Sequence, residues 1–209
     1  MLIDLSHTIR DGTVTYKGLP ALRICDYLTR EASRANYERG AEFQIGKIEM
    51  VGNTGTYVDV PFHRFADGKD LAEVALERFV DLPAIVIHDE RELAAADIAG
   101  KAVLFHTGWS KHWGTPQYYE DHPFVTEAAA VLLRDRGARL VGIDSHNIDD
   151  TRTRNHRPVH TTLLAAEIPI CEHMRGLELL PASAFTFTAV PPKLVGVGTF
   201  PVRAFATVR

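Results

Sequence analysis

The sequence predicts an α/β chain built on a mixed sheet. Short apolar runs bounded by turn residues recur at 84–87, 102–105, 140–143 and 202–206, and their length and β-branched content favour strands over helices. Helical patterns lie between them without a strict strand–helix–strand repeat, so the sheet is not expected to be wholly parallel. With 209 residues, 45% of them hydrophobic, the chain can bury one sizeable core. Nothing marks an internal boundary, and a single domain over 1–209 is expected.

Each element has its own warrant. Gln44-Ile45-Gly46-Lys47-Ile48-Glu49-Met50 alternates polar and apolar residues, as a strand with one wet face does, and leads straight into a glycine- and proline-rich loop at 53–63. Residues 70–79 carry a helical pattern. Thr126 caps a helix expected over 127–136, with Glu127 early, Arg134 and Arg136 late, and Gly137 as the stop. A further helix is expected over 159–166, after Pro158. The run Ile168-Pro169-Ile170-Cys171 reads as a strand that ends at Glu172. Between these elements, residues 145–157 form a long polar loop in which five of thirteen residues are Asp or Arg, joined by His146 and His156. Such a loop is either functional or simply exposed and charged.

Composition excludes several classes. A formal net charge of -4, with acids and bases interspersed, leaves no basic stripe for nucleic acid. Cys25 and Cys171 lie far apart and outside any C-x-x-C pair, which argues against a disulfide scaffold or zinc finger and for a reducing compartment. The opening Met1-Leu2-Ile3-Asp4 lacks the basic and apolar regions of a signal peptide, and no run approaches the roughly 20 apolar residues of a membrane span. A cytoplasmic location is expected.

Chemistry concentrates in Asn53-Thr54-Gly55-Thr56-Tyr57-Val58-Asp59-Val60-Pro61-Phe62-His63. Pro61 between Asp59 and His63 makes a fixed turn rather than a helix, and a carboxylate and an imidazole on one rigid loop suit metal binding or general acid–base work. Alone, the pair also fits a turn cap and a histidine bonded to a backbone carbonyl. Downstream, His160 opens the expected second helix and Glu172 ends the strand-like run, so the two can converge.

The 53–63 segment resembles the His-x-Gly-Thr-His-x-Asp-x-Pro-x-His motif of the cyclase / kynurenine formamidase superfamily of metal-dependent hydrolases. Gly55, Thr56, Asp59, Pro61 and His63 match, whereas Asn53 and Tyr57 stand where two motif histidines would. Residues 160–172 resemble the family's His, Leu-Leu, Ile-Pro-Ile-x-Glu segment. Gly142-Ile143-Asp144 followed by Asp149, Ile3-Asp4-Leu5-Ser6-His7, Thr107-Gly108-Trp109 and Pro201-Val202-Arg203-Ala204 extend the likeness end to end.

The resemblance implies a single-domain swivelling β/β/α fold, assembled as a homodimer or homotetramer. It also implies a divalent metal that activates water against an amide, lactone or formyl carbonyl of a small-molecule substrate. Asp59, His160 and Glu172 would be metal ligands and His63 the general acid–base. An amide oxygen at Asn53 is a poor zinc ligand, and a phenol with a pKa near 10 must lose its proton to bind well, so one Zn or Mn ion is expected rather than two. Tyr57 is then a catalytic hydrogen-bond donor, and Asn53 and His146 are additional candidates at the metal. His7, His88, His106, His112, His122 and His173 read as structural or solvated. Trp109, Trp113, Tyr118 and Tyr119 either wall an aromatic pocket or fill core.

No G-x-S-x-G elbow or H-E-x-x-H helix offers another hydrolytic template, and the segment 40–47 lacks phosphate-loop spacing. The reading is an arylformamidase-like hydrolase, with the place in tryptophan catabolism that the resemblance implies. Two alternatives stand beside it: a small-molecule binding protein that has lost its metal ligands, and a metal-independent enzyme using His63 and Tyr57 as an acid–base pair.

Overall fold

The computed structural model describes residues 1–38, 40–153 and 156–208. In chain order the strands are β1 (Leu2–Asp4), β2 (Arg23–Leu28), β3 (Ile45–Glu49), β4 (Tyr57–Asp59), β5 (Leu82–Ile87), β6 (Ala102–Phe105), β7 (Leu140–Ile143), β8 (Ile170–Glu172), β9 (Phe185–Thr188), β10 (Thr199–Pro201) and β11 (Phe205–Val208). The helices are α1 (Arg30–Ser33), α2 (Glu127–Asp135) and α3 (Pro158–Ala165).

Nine strands form one mixed sheet in the order β1-β11-β9-β5-β6-β7-β8-β4-β10. β5, β6, β7 and β8 run parallel to one another, while the remaining pairings are antiparallel. Alternation along the central strands sorts the core onto two faces. Ala84, Val86, Leu104 and Leu140 join Val58, Phe185 and Phe187 on one side. Ile85, Ile87, Val103, Val141 and Ile143 pack on the other against Ala130 and Leu133 of α2 and Leu163 of α3. Past the sheet edge, Ser6 bridges Met174, and the Arg175 N–H donates to Leu5 O at 3.0 Å. The chain after β1 thus meets the chain after β8, and the sheet curls into a half-barrel over the first cluster.

The helices expected over 127–136 and 159–166 fall where the sequence places them, and α1 is an additional short one. Thr126 Oγ1 accepts from Ala129 N at 3.2 Å, and α3 starts at Pro158. Three expectations differ. Residues 70–79 form no continuous helix: Asp70 draws the Ala72 and Glu73 N–H groups and, from across the fold, Gly196 N, and Ala75 turns extended before a single 3-10 turn at Leu76–Arg78. The strand expected at 202–206 divides, because Val202 N binds Thr56 O and Ala204 N binds Ser6 Oγ, so pairing resumes only at Phe205 in β11. β3 has both faces exposed rather than one, since its ladder is with β2 alone in a separate two-stranded ribbon. Among the described residues no helix is long and apolar enough to cross a membrane.

Candidate active site

Strand register assembles the site. β4 lies between β8 and β10, pairing Tyr57 with Glu172 and Asp59 with Thr199. All three β4 residues are buried. Pro61 then ends the extended backbone and opens the 3-10 turn Pro61–His63, which delivers His63 beside Asp59. Two glycines make room for this. Gly55 takes a positive φ of 66°, and Gly198 lies where a β-carbon would strike the backbone of His63.

His160 arrives on the first turn of α3, anchored from outside the helix. The Asp149 carboxylate accepts from Val159 N at 2.8 Å and His160 N at 3.0 Å, and meets His160 Nδ1 at 2.6 Å. An acid at a helix N-terminus is electrostatically favoured, and here it also fixes the imidazole tautomer. With Nδ1 committed to Asp149, His160 presents Nε2 3.6 Å from Asp59 Oδ2 and 3.7 Å from Glu172 Oε1. Burial pulls the His160 pKa down, but Glu172, Asp149 and Asp59 outweigh it and raise it to about 10. Burial pushes the Glu172 carboxyl up, to about 7, against the opposing pull of His160.

The arrangement fits a divalent cation. Asp59 Oδ2 is buried without a hydrogen-bond partner, its nearest cationic neighbour being the His160 ring 3.6 Å away, and a divalent ion between the two would satisfy it in place of the His160 proton. His160 has the carboxylate-backed geometry usual for a metal-ligating imidazole. Asp59, His63 and His160 each offer a ligand atom within 4.8 Å of the others, the one such cluster among the described residues. Glu172 stands outside that cluster, with Oε1 3.7 Å from His160 Nε2 and accepting from Ile148 N at 2.6 Å.

His63 has a defined proton inventory. The Thr199 hydroxyl donates to Asp59 Oδ1, so across its 2.8 Å contact His63 Nδ1 must supply the hydrogen. That leaves the His63 Nε2 lone pair for the cavity.

Tyr57 holds a different post from that of a lost ligand. Its hydroxyl donates to Glu172 Oε2 at 2.6 Å, His173 Nε2 donates to it at 3.2 Å, and Tyr118 Oη donates to His173 Nδ1 at 2.9 Å. Burial and the Glu172 charge hold the Tyr57 pKa well above 10.0, so it stays a phenol. Its proton is directed at Glu172 rather than at a substrate.

These groups face a cavity of about 280 Å³. Asn53, Tyr57, His63, His160 and Glu172 line it together with Tyr16, Leu19, Asn147, Arg64 and Arg157. His146 is not brought to it. Its ring packs against Tyr16 at 4.4 Å and His122 at 5.1 Å, and burial, then His122, pushes its pKa down to about 3. Trp109, Trp113, Tyr118 and Tyr119 do not wall the cavity either: Trp113 stacks on His7 at 4.3 Å, and Tyr118 is buried against His146 and His173. Sequence reasoning missed Thr199, His173, Arg64 and Arg157. Thr199 becomes visible only once β10 is known to pair with β4, whereas the adjacency of Arg64 to His63 was there to be read.

Comparison with known proteins gives the chain a family and a fold. The cyclase family model, described as "Putative cyclase", matches residues 3–150. A kynurenine formamidase of Geobacillus thermodenitrificans is 31% identical over 181 residues, covering 82% of this chain and 84% of that one. A solved structure titled as a potential metal-dependent hydrolase with cyclase activity superposes with a TM-score of 0.79 at 28% identity, over 100% of this chain and 98% of the other. Isatin hydrolase A from Labrenzia aggregata shares the fold, with a TM-score of 0.77 at 23% identity over 100% and 93% of the two chains. The chain belongs to the cyclase family, within the cyclase / kynurenine formamidase superfamily of metal-dependent hydrolases.

Proposed function

We propose that the chain hydrolyses the carbon–nitrogen bond of a small formyl-amide or cyclic amide, as an arylformamidase-like enzyme carrying one divalent ion, Zn or Mn. The observation that carries this is the unpartnered Asp59 Oδ2 facing His160 Nε2, on a cavity that also presents His63. The kinship with a kynurenine formamidase supports the bond type. Asp59, His160 and Glu172 would hold the ion, which when bound lowers the pKa of a coordinated water from 15.7 towards about 7.

The chain's own groups supply the rest. Asp149 keeps His160 in the tautomer that presents Nε2. Tyr57 and the Ile148 N–H each bind one oxygen of Glu172 and fix its plane. His63, with Nε2 bare and Nδ1–H on Thr199, accepts a proton from the attacking water and returns it to the departing nitrogen. A cavity of about 280 Å³ has the size of a small-molecule site.

The test is formate release from formanilide by protein as purified, after chelation, and after Zn²⁺ or Mn²⁺ is restored. Activity should vanish with chelator and return with metal. Chelator-insensitive turnover would instead favour the metal-independent His63 reading. No turnover across formamides, cyclic amides and lactones would favour a binding protein.

A further inference from the structure

We propose that Arg64 and Arg157 form an anion subsite in this cavity and that the substrate carries a carboxylate which they bind. This rests on the amide-hydrolase reading and adds which amides are taken. Both arginines line the cavity with His63, His160 and Glu172. Arg64 directly follows His63 at the end of the 3-10 turn, and Arg157 directly precedes α3, three residues before His160. Thr161 joins them: its Oγ1 accepts from Arg64 Nε at 3.2 Å and donates to Arg157 O at 2.7 Å. Arg157 is further anchored through Nη1, which donates to the carbonyls of Asp150, Thr153 and His156 at 3.1, 2.9 and 2.8 Å. Both residues thus line the same cavity as the candidate catalytic groups, with Arg157 keeping Nε and Nη2 beyond its backbone anchors.

Neither guanidinium lies within 4 Å of a carboxylate among the described residues, so no internal acid neutralises either charge. Charge balance points the same way. With a divalent ion in place and His160 neutral, Asp59, Glu172 and Asp149 leave the site one charge negative, and the two arginines reverse the sign. A guanidinium fork matches a carboxylate with two parallel N–H···O bonds, which no neutral ring substituent can accept equally well. Tyr16 and Leu19 on the same wall give the remainder of a small aromatic substrate an apolar surface.

The experiment compares metal-loaded wild type with Arg64→Gln, Arg157→Gln and Arg157→Lys, after metal content and circular dichroism have shown each variant loaded and folded. Calorimetry with benzoate and benzamide reads binding without turnover. Kinetics with 2-formamidobenzoate and formanilide reads it in catalysis. Benzoate affinity should fall and the KM for 2-formamidobenzoate should rise about 10- to 100-fold in the glutamine variants, a range typical of losing a charged hydrogen bond. The kcat, the formanilide kinetics and the benzamide affinity should hold, and the lysine variant should recover part of the loss. Arg64→Gln, at an exposed position, decides the question if Arg157→Gln fails to fold. Unchanged benzoate binding and KM in the variants would overturn the subsite even if formanilide is hydrolysed. If neither amide is hydrolysed, the amidohydrolase reading fails, while the benzoate measurement still decides the subsite.

Discussion

Among single residues, the chemistry of the site turns on where protons sit. Thr199 donates to Asp59, so His63 donates to Thr199 and keeps Nε2 open. His63→Ala should therefore lower kcat by about 10²- to 10⁴-fold, the usual contribution of a positioned acid–base, with metal content by elemental analysis unchanged. Metal lost together with activity would instead place His63 among the ligands, a role its position in the Asp59–His63–His160 cluster makes worth measuring. Thr199 acts through His63, and its test is rescue: Thr199→Val should reduce kcat about tenfold while Thr199→Ser restores it, measured beside melting temperature. Equal losses in both variants would reduce Thr199 to packing. Asp59, His63, His160 and Glu172 were legible because each is a ligand-type side chain in a recognisable order. Thr199 was not, because a lone threonine says nothing until its strand partner is known. Tyr57 was legible as a departure from the family motif, but its direction towards Glu172 depends on the β4–β8 register.

At the scale of elements, the site is a junction of three strands and one helix end. β4 supplies Tyr57 and Asp59, β8 supplies Glu172, β10 supplies Thr199, and α3 brings His160 with Asp149 clamping its first turn. Asp149→Asn removes the charge that faces both the helix N-terminus and the His160 ring. Metal affinity by calorimetry should drop about 10- to 100-fold, as expected when the group behind a ligating imidazole is lost, while the far-ultraviolet spectrum stays native. Affinity equal to wild type would show that His160 needs no such backing. The polar loop at 145–157 thereby acquires a role that its charge composition alone left open. Elements with local warrants, α2 with its threonine cap and α3 after its proline, were readable in sequence. Residues 70–79 and 202–206 were not, because Gly196, Thr56 and Ser6 reach in from distant parts of the chain and redirect their backbones.

At the scale of the whole molecule, the buried titratable groups predict a stability optimum in the metal-free protein. His7 is pushed down to about 4, by burial and then Arg175, and His146 to about 3, each from an ordinary 6.5. Buried neutral, they contribute stability above 6.5 that is lost as pH falls and the unfolded chain gains the proton. His160 has the opposite sign, raised from 6.5 to about 10, so its contribution is full below 6.5 and fades as pH rises towards 10. Glu172, raised from 4.5 to about 7, likewise loses its contribution as pH climbs through that interval. Above neutrality only losses remain among these four groups. With chelator present, the melting temperature should fall by several degrees from about pH 7 to about pH 10. Added metal competes with protons for the same ligands, so its stabilising effect should widen with pH. A metal-free melting temperature that rises across that interval, or a metal effect independent of pH, would contradict the assignment. We expect the surviving acids and His160 to hold a single ion. Calorimetric titration of chelator-treated protein with Zn²⁺ and Mn²⁺, in wild type and in Asp59→Asn, tests it most directly. Wild type should bind close to one ion per chain and the variant none tightly; two equivalent sites, no site, or an Asp59→Asn protein that binds as well as wild type would refute the single-ion site.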